Sequence, residues 1–86
     1  MFLMIPLKPT LLDLREHPLC ERPMHVLLSL ERLAGGETVL VIDDRDPDPL
    51  LRNLKTALDQ GYTYWIAEEG PEIWRLFVTR QGGTSE

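Results

Sequence analysis

The stretch Thr38-Val39-Leu40-Val41-Ile42 is a continuous apolar run rich in β-branched residues. Such a run is typical of a central strand that is buried on both faces, or nearly so. Upstream of it, alternation predicts a strand from about Thr10 to Leu14, and helical spacing predicts a helix from about Pro23 to Ala34. A strand, a helix and a second strand in this order predict parallel pairing through a right-handed crossover.

The first predicted helix has a start signal, an apolar stripe and a stop signal. Pro23 suits the first helical turn, because its missing N–H would have no partner there. The glycine pair Gly35-Gly36 follows the helix and stops it. The apolar stripe consists of Val26, Leu27, Leu30, Leu33 and Ala34.

The second half of the chain predicts one more helix and a β-hairpin. The helix runs from about Pro49 to Gln60, and Gly61 ends it. Strands at Tyr62–Ala67 and Ile73–Arg80 flank a turn-rich segment and predict the hairpin. The sequence therefore predicts an α+β fold. It is a two-layer α/β sandwich of order β-α-β-α-β-β, with a four-stranded mixed sheet and both helices on one face.

The length of 86 residues predicts one domain, which we place at residues 10–80. Residues 1–9 form an N-terminal lead-in that begins with an apolar run. This run is interpreted as a strand edge or flexible lead-in, with a partner-binding arm as the alternative. The polar residues 81–86 are predicted to be a disordered tail. The lone cysteine favours a reducing compartment, so we expect a cytoplasmic protein.

Charge and hydropathy exclude several classes of partner. The net charge is −5, from 9 basic and 14 acidic residues. Nucleic-acid binding and docking on an anionic membrane both need a basic surface, so neither is expected. No segment approaches the ~20 apolar residues of a membrane span.

We also find no catalytic constellation or nucleotide motif, so neither independent enzymatic activity nor a cofactor is expected. Protein partners remain, and the oligomeric state is left open.

An acidic turn follows the central strand and contains four candidate binding residues: Asp43, Asp44, Asp46 and Asp48. Their spacing resembles the opening of a calcium loop, but Pro49 and Lys55 stand where that loop needs Gly and Glu. Asp before Pro is instead typical of a helix start, so helix capping is the favoured interpretation. Docking of a basic partner is the alternative.

Cys20 is the candidate reactive residue, because it precedes the first helix. Unpaired N–H groups and the helix dipole favour a thiolate at such a position. Arg15, His17 and Arg22 would add positive charge, whereas Glu21 opposes it. The alternative is a half-buried cysteine that acts as a small hydrophobe.

Two further groups of residues were weighed as sites. His17, Cys20 and His25 are metal-ligand types, but no fourth ligand is evident, so no metal site is predicted. The hairpin aromatics Trp65 and Trp74, with two tyrosines, are interpreted as core and cross-strand packing. A partly exposed sheet face that carries Trp65 or Phe77 would instead form a dimer or partner interface.

The motifs resemble those of a known superfamily. A Cys-x-x-Pro at the first helix start and the entry Gly36-Glu37-Thr38-Val39 resemble the TusA/SirA-like small sulfur carriers. A closer resemblance is to an uncharacterised branch of that superfamily, a domain of unknown function with an Asp-His-Asp-Pro-type motif. It rests on four stretches of this sequence: Leu12-Asp13-Leu14-Arg15, Asp43 to Leu50, Gly61-Tyr62, and Gly70-Pro71-Glu72-Ile73-Trp74-Arg75.

The resemblance implies a TusA/SirA-like fold and a small sulfur-carrier or redox accessory protein, with Cys20 as the persulfide-bearing residue. This sequence departs from both groups at one position each. Glu21 stands where the carriers have proline, and Arg45 stands where the uncharacterised branch has histidine. The rival hypothesis is a non-enzymatic protein-interaction domain with no covalent chemistry. An exposed Cys20 sulfur would favour the carrier, and a buried one the rival.

Overall fold

A computed structural model describes residues 9–82 of the chain. The strands are β1 (Thr10–Asp13), β2 (Thr38–Asp43), β3 (Tyr62–Glu69) and β4 (Trp74–Arg80). The helices are α1 (Arg22–Glu31), α2 (Asp48–Asn53) and α3 (Lys55–Leu58). Two 3₁₀ turns, at Leu14–Glu16 and Leu19–Glu21, connect β1 to α1. Most of the predicted lead-in (1–8) and the end of the predicted tail (83–86) lie outside the described residues.

The four strands form one mixed sheet in the order β1-β2-β4-β3. β1 pairs with β2 in parallel, and β4 pairs antiparallel with both β2 and β3. The two-layer α+β architecture predicted from the sequence is therefore confirmed. The predicted central strand is also confirmed, since β2 has a hydrogen-bonded neighbour on each side.

The core lies between one face of the sheet and the helices. Val39 and Val41 of β2 and Leu76 and Val78 of β4 are at most 3 % exposed on that face. The helical layer contributes buried leucine and valine side chains at helical spacing. These are Val26, Leu30, Leu33, Leu51, Leu54 and Leu58, together with Leu14 from the first 3₁₀ turn.

Two helix boundaries differ from the sequence prediction. α1 ends at Glu31 rather than Ala34, because the amides of Arg32 and Leu33 bond three residues back, to Ser29 and Leu30, as in a 3₁₀ turn. The second predicted helix is divided at Leu54 into α2 and α3. On both sides of the break leucines remain in the core, with Leu51, Leu54 and Leu58 buried.

The sequence predictions for the hairpin are confirmed for the strand pairing and for cross-strand packing, since Trp65 stacks on its partner Phe77, but two of the aromatic residues do not lie in the core. β3 and β4 pair antiparallel, with a register shift between Ile66 and Glu68. Trp65 is 60 % exposed and Tyr64 is 46 % exposed, so neither is a core residue. Tyr62 is half-buried, and its hydroxyl donates to a carbonyl oxygen of α1 at 3.1 Å.

No helix within residues 9–82 has the length and apolarity that crossing a bilayer would require.

Candidate functional site

The first residue of α1, Arg22, is the centre of a polar network between the two helix starts. Its Nη1 donates to Asp43 at 2.7 Å and to Asp44 at 2.8 Å, and its Nε donates to the His17 carbonyl oxygen at 3.0 Å. Arg22 is 7 % exposed and Asp43 is 4 % exposed. A guanidinium suits this place, since its planar fork supplies several donors at once. The network joins the end of β2 to the start of α1.

The pKa values of the two carboxylates in this network are shifted in opposite directions. The hydrogen bond from Arg22 holds the pKa of Asp44 below its usual range. Burial raises the pKa of Asp43, although Arg22 and the Asp44 amide both act to lower it. The two aspartates raise the pKa of Arg22, with Asp44 making the larger contribution. Arg22 therefore serves as a buried counter-charge that is shared by two acids.

The acidic turn mainly shapes the start of α2. The Asp46 carboxylate accepts a hydrogen bond at 2.9 Å from the amide of Asp48, the first residue of α2. The N-cap position itself is Pro47, which makes no side-chain cap bond, so the acidic residues flank the helix start without capping it in the strict sense. Asp48 lies 3.4 Å from Arg52 in an exposed ion pair within α2. Between the two helix starts lies a shallow pocket of about 190 Å³, which Arg22, Asp43 and Asp46 line in part. That a basic partner binds to the acidic turn stays a prediction.

Cys20 is exposed and lies in the 3₁₀ turn immediately before α1. The two arginines that were predicted to support it are both paired with carboxylates. Arg22 is held by Asp43 and Asp44, and Arg15 donates to Asp13 at 2.7 Å. Each positive charge is therefore balanced locally. Cys20 is exposed, which is the arrangement that the sulfur-carrier hypothesis needs, while its reactivity and the roles of Arg15 and Arg22 towards it stay predictions.

His17, in the connection that precedes α1, lies against His25 of that helix. The His17 and His25 rings stack with centroids 3.8 Å apart and an interplanar angle of 28°. His25 Nε2 lies 3.5 Å from Glu21 Oε1. The cluster of ligand-type residues is thus His17, Glu21 and His25, and Cys20 is not part of it. Its spacing of four and four residues was the signal that sequence reasoning missed.

A second feature lies on the sheet face that the helices leave uncovered. The strand register aligns one apolar residue from each strand in a row across the sheet: Leu11, Leu40, Phe77 and Trp65. We call this the apolar row. Leu11 and Trp65, at its two ends, are 61 % and 60 % exposed. Trp65 and Phe77 stack with centroids 5.2 Å apart. Among residues 9–82, no helix packs on this face.

Comparison with known proteins identifies the family. Residues 11–80 match the family described as an uncharacterized conserved protein (DUF2249). The chain belongs to this family. The match includes the whole polar network and the apolar row. No curated protein and no solved structure matches the chain significantly. Family membership confirms the predicted resemblance to a domain of unknown function, while the relationship to TusA/SirA-like carriers stays a proposal.

Proposed function

We propose that this domain is a small cytoplasmic protein-interaction module that binds an uncharged apolar segment of a partner protein across its open sheet face. The observation that carries the proposal is the apolar row, whose end residues are more than half exposed. Adjacent strands are about 4.8 Å apart, so the row spans about 14 Å from edge to edge. An aromatic residue that stacks on a neighbour and stays exposed is typical of an interface anchor.

The rim of the row indicates what the partner segment is like. On one side, Thr38 and Thr79 hydrogen-bond to each other through their hydroxyls at 2.7 Å. On the other side, Asp13 is paired with Arg15, and Glu68 with Arg75. The rim charges are thus neutralised within the chain, which leaves an apolar centre with a polar but electrically balanced border. A neutral apolar segment fits this surface better than a charged one.

Site-specific photo-crosslinking tests this proposal. A photo-reactive phenylalanine analogue is placed at position 65 and, as a control, at position 28, since Leu28 is an exposed apolar residue on the helical layer. In cells that produce the protein, position 65 should capture a defined protein that position 28 does not capture. With that protein purified, Trp65→Ser and Leu11→Ser should each weaken binding about tenfold or more, whereas Leu28→Ser should not. Equal losses for all three variants would refute the proposal.

A second candidate function is sulfur transfer through Cys20, and the exposure of its thiol favours it. In this reaction the Cys20 thiolate attacks the outer sulfur of a donor protein's persulfide. A new S–S bond forms on Cys20, the donor's S–S bond breaks, and the donor leaves as a thiolate. The resemblance of Cys20-Glu21-Arg22-Pro23 to the carriers' motif supports the same residue.

Intact mass spectrometry tests the second candidate. The chain and its Cys20→Ser variant are incubated with a cysteine desulfurase and free cysteine. A gain of about 32 Da on the wild type alone, reversed by a thiol reductant, is the expected result. No gain in mass on the wild type would remove this candidate and leave the interaction module unaffected, because the two functions use different surfaces.

A further inference from the structure

Three ligand-type side chains converge beside the start of α1. His17 ends the first 3₁₀ turn, Glu21 ends the second, and His25 lies within the first helical turns of α1. One donor atom from each residue lies within 4.8 Å of the donor atoms of the other two. His17 and His25 are half-buried and Glu21 is exposed, so an ion would reach the cluster directly from solvent.

One member of this cluster, His17, is tied through its backbone to the polar network around Arg22. Arg22 follows Glu21 directly, and its Nε holds the His17 carbonyl oxygen at 3.0 Å. The same guanidinium is anchored to the buried Asp43. The backbone of His17 is thereby tied to the first turn of the helix that carries His25. Metal sites gain from such support, because partners behind the ligands hold them in place.

The donor set and its spacing fit a nitrogen-preferring divalent ion. Two imidazoles and one carboxylate are a known set for zinc, with metal–ligand bonds of about 2.0–2.2 Å. Tetrahedral geometry with such bonds places the donor atoms about 3.3–3.6 Å apart. The His25 Nε2 to Glu21 Oε1 distance of 3.5 Å is close to that separation. Magnesium and calcium prefer all-oxygen sites, so this set disfavours them.

One adjustment is needed for three-ligand binding. The two rings are stacked, with an interplanar angle of 28°, whereas both nitrogen lone pairs must point at one ion. Since His17 lies in the connection between two 3₁₀ turns and outside α1, the site requires a rotation of the His17 side chain that turns one ring nitrogen towards the ion. The ion would then have three protein ligands and one coordination position open to water or to a partner's side chain.

We propose that His17, Glu21 and His25 form a binding site for a divalent first-row transition ion of the zinc class. The site is independent of both proposed functions, because it uses neither the apolar row nor the Cys20 thiol. It also replaces the sequence-based grouping of His17, Cys20 and His25, since Glu21 rather than Cys20 is the third ligand.

Calorimetric titration with Zn²⁺ tests this site on the full chain without an affinity tag. We expect one ion per chain. His17→Ala, His25→Ala and Glu21→Gln should each raise the dissociation constant about tenfold or more, the effect that even supporting residues have on metal affinity. Glu31→Gln, at the far end of α1, and Cys20→Ser are controls that should leave the dissociation constant unchanged. Circular dichroism establishes that each variant is folded.

A second readout follows the two histidines directly. In a nitrogen-detected NMR spectrum, Zn²⁺ should shift the ring signals of His17 and His25 together, at one equivalent, and Mg²⁺ should shift neither. The proposal fails if Zn²⁺ binds the wild type no better than His25→Ala. It also fails if Cys20→Ser loses the ion while the histidine variants keep it, because the thiol would then be the ligand.

Discussion

Replacing Arg22 by methionine is the sharpest test of how the two helix starts are held together. Arg22→Met keeps much of the aliphatic stem but removes the counter-charge of Asp43, which is 4 % exposed. Breaking a buried ion pair by deleting one partner costs about 3–5 kcal/mol. The link to Asp44 adds little, because the Asp44 side chain is 45 % exposed and solvent screens it. Since protonation of Asp43 can relieve part of the penalty, we expect the lower end, about 3 kcal/mol at pH 7.

A loss of this size is large for a chain of 86 residues. Small domains have unfolding free energies towards the lower end of about 5–15 kcal/mol, and each kcal/mol shifts the Tm by about 4–8 °C. Arg22→Met should therefore lower the Tm by about 12–24 °C. Urea unfolding followed by tryptophan fluorescence measures the free energy directly. Arg45→Met is the matched control, because Arg45 is exposed and 3.9 Å from Asp44, and it should change stability by less than about 0.5 kcal/mol.

The double variant Arg22→Met/Asp43→Asn separates two contributions to the loss of stability, the unpaired charge of Asp43 and the lost packing of Arg22. It should regain about 2 kcal/mol relative to Arg22→Met, because an amide costs less to bury unpaired than a carboxylate does. Loss of Arg22 also raises the pKa of Asp43 further above its unfolded value. The stability of Arg22→Met should consequently rise as the pH falls from 7 towards 5, since the folded state binds the extra proton. A double variant no more stable than Arg22→Met would refute the reasoning.

Three further predictions concern other parts of the fold. Gly70→Ala should cost about 1–3 kcal/mol in urea unfolding, because a Cβ there would lie 2.7 Å from the Trp74 side chain at a φ of +44°. Tyr62→Phe should cost about 0.5–1.5 kcal/mol in the same assay, since it loses a half-buried hydrogen bond to α1. The pKa values of Asp44 and Asp13 are both lowered, chiefly by hydrogen bonds from arginines. Their stabilisation is present above the unfolded value of about 3.9 and is lost as the pH falls through the folded values. Unfolding curves at pH 5 and pH 2.5 should therefore differ less for Asp44→Asn than for the wild type.

The sequence by itself determined the order of elements and the content of the core. The apolar run at Thr38–Ile42 and the leucine spacing of the helices report burial directly, because side-chain periodicity is a local property of helices and strands. The Asp-Pro pairs likewise predicted a helix start, which is a local signal, and α2 begins at Asp48, whose amide donates to the Asp46 carboxylate. Motifs spread over residues 12–75 were enough to predict a domain of unknown function.

Only the tertiary structure decided which residues meet across the chain. The apolar row depends on the register of four strands, and no local pattern relates Leu11 to Trp65. The pairing of Arg22 with Asp43 joins residues 21 positions apart. From the sequence, Arg22 was therefore assigned to its near neighbour Cys20 instead. Both outcomes have one physical reason. Burial makes an unpaired charge costly, and strand pairing sets which side chains share a face. Both effects arise only when the sheet and the helices pack together.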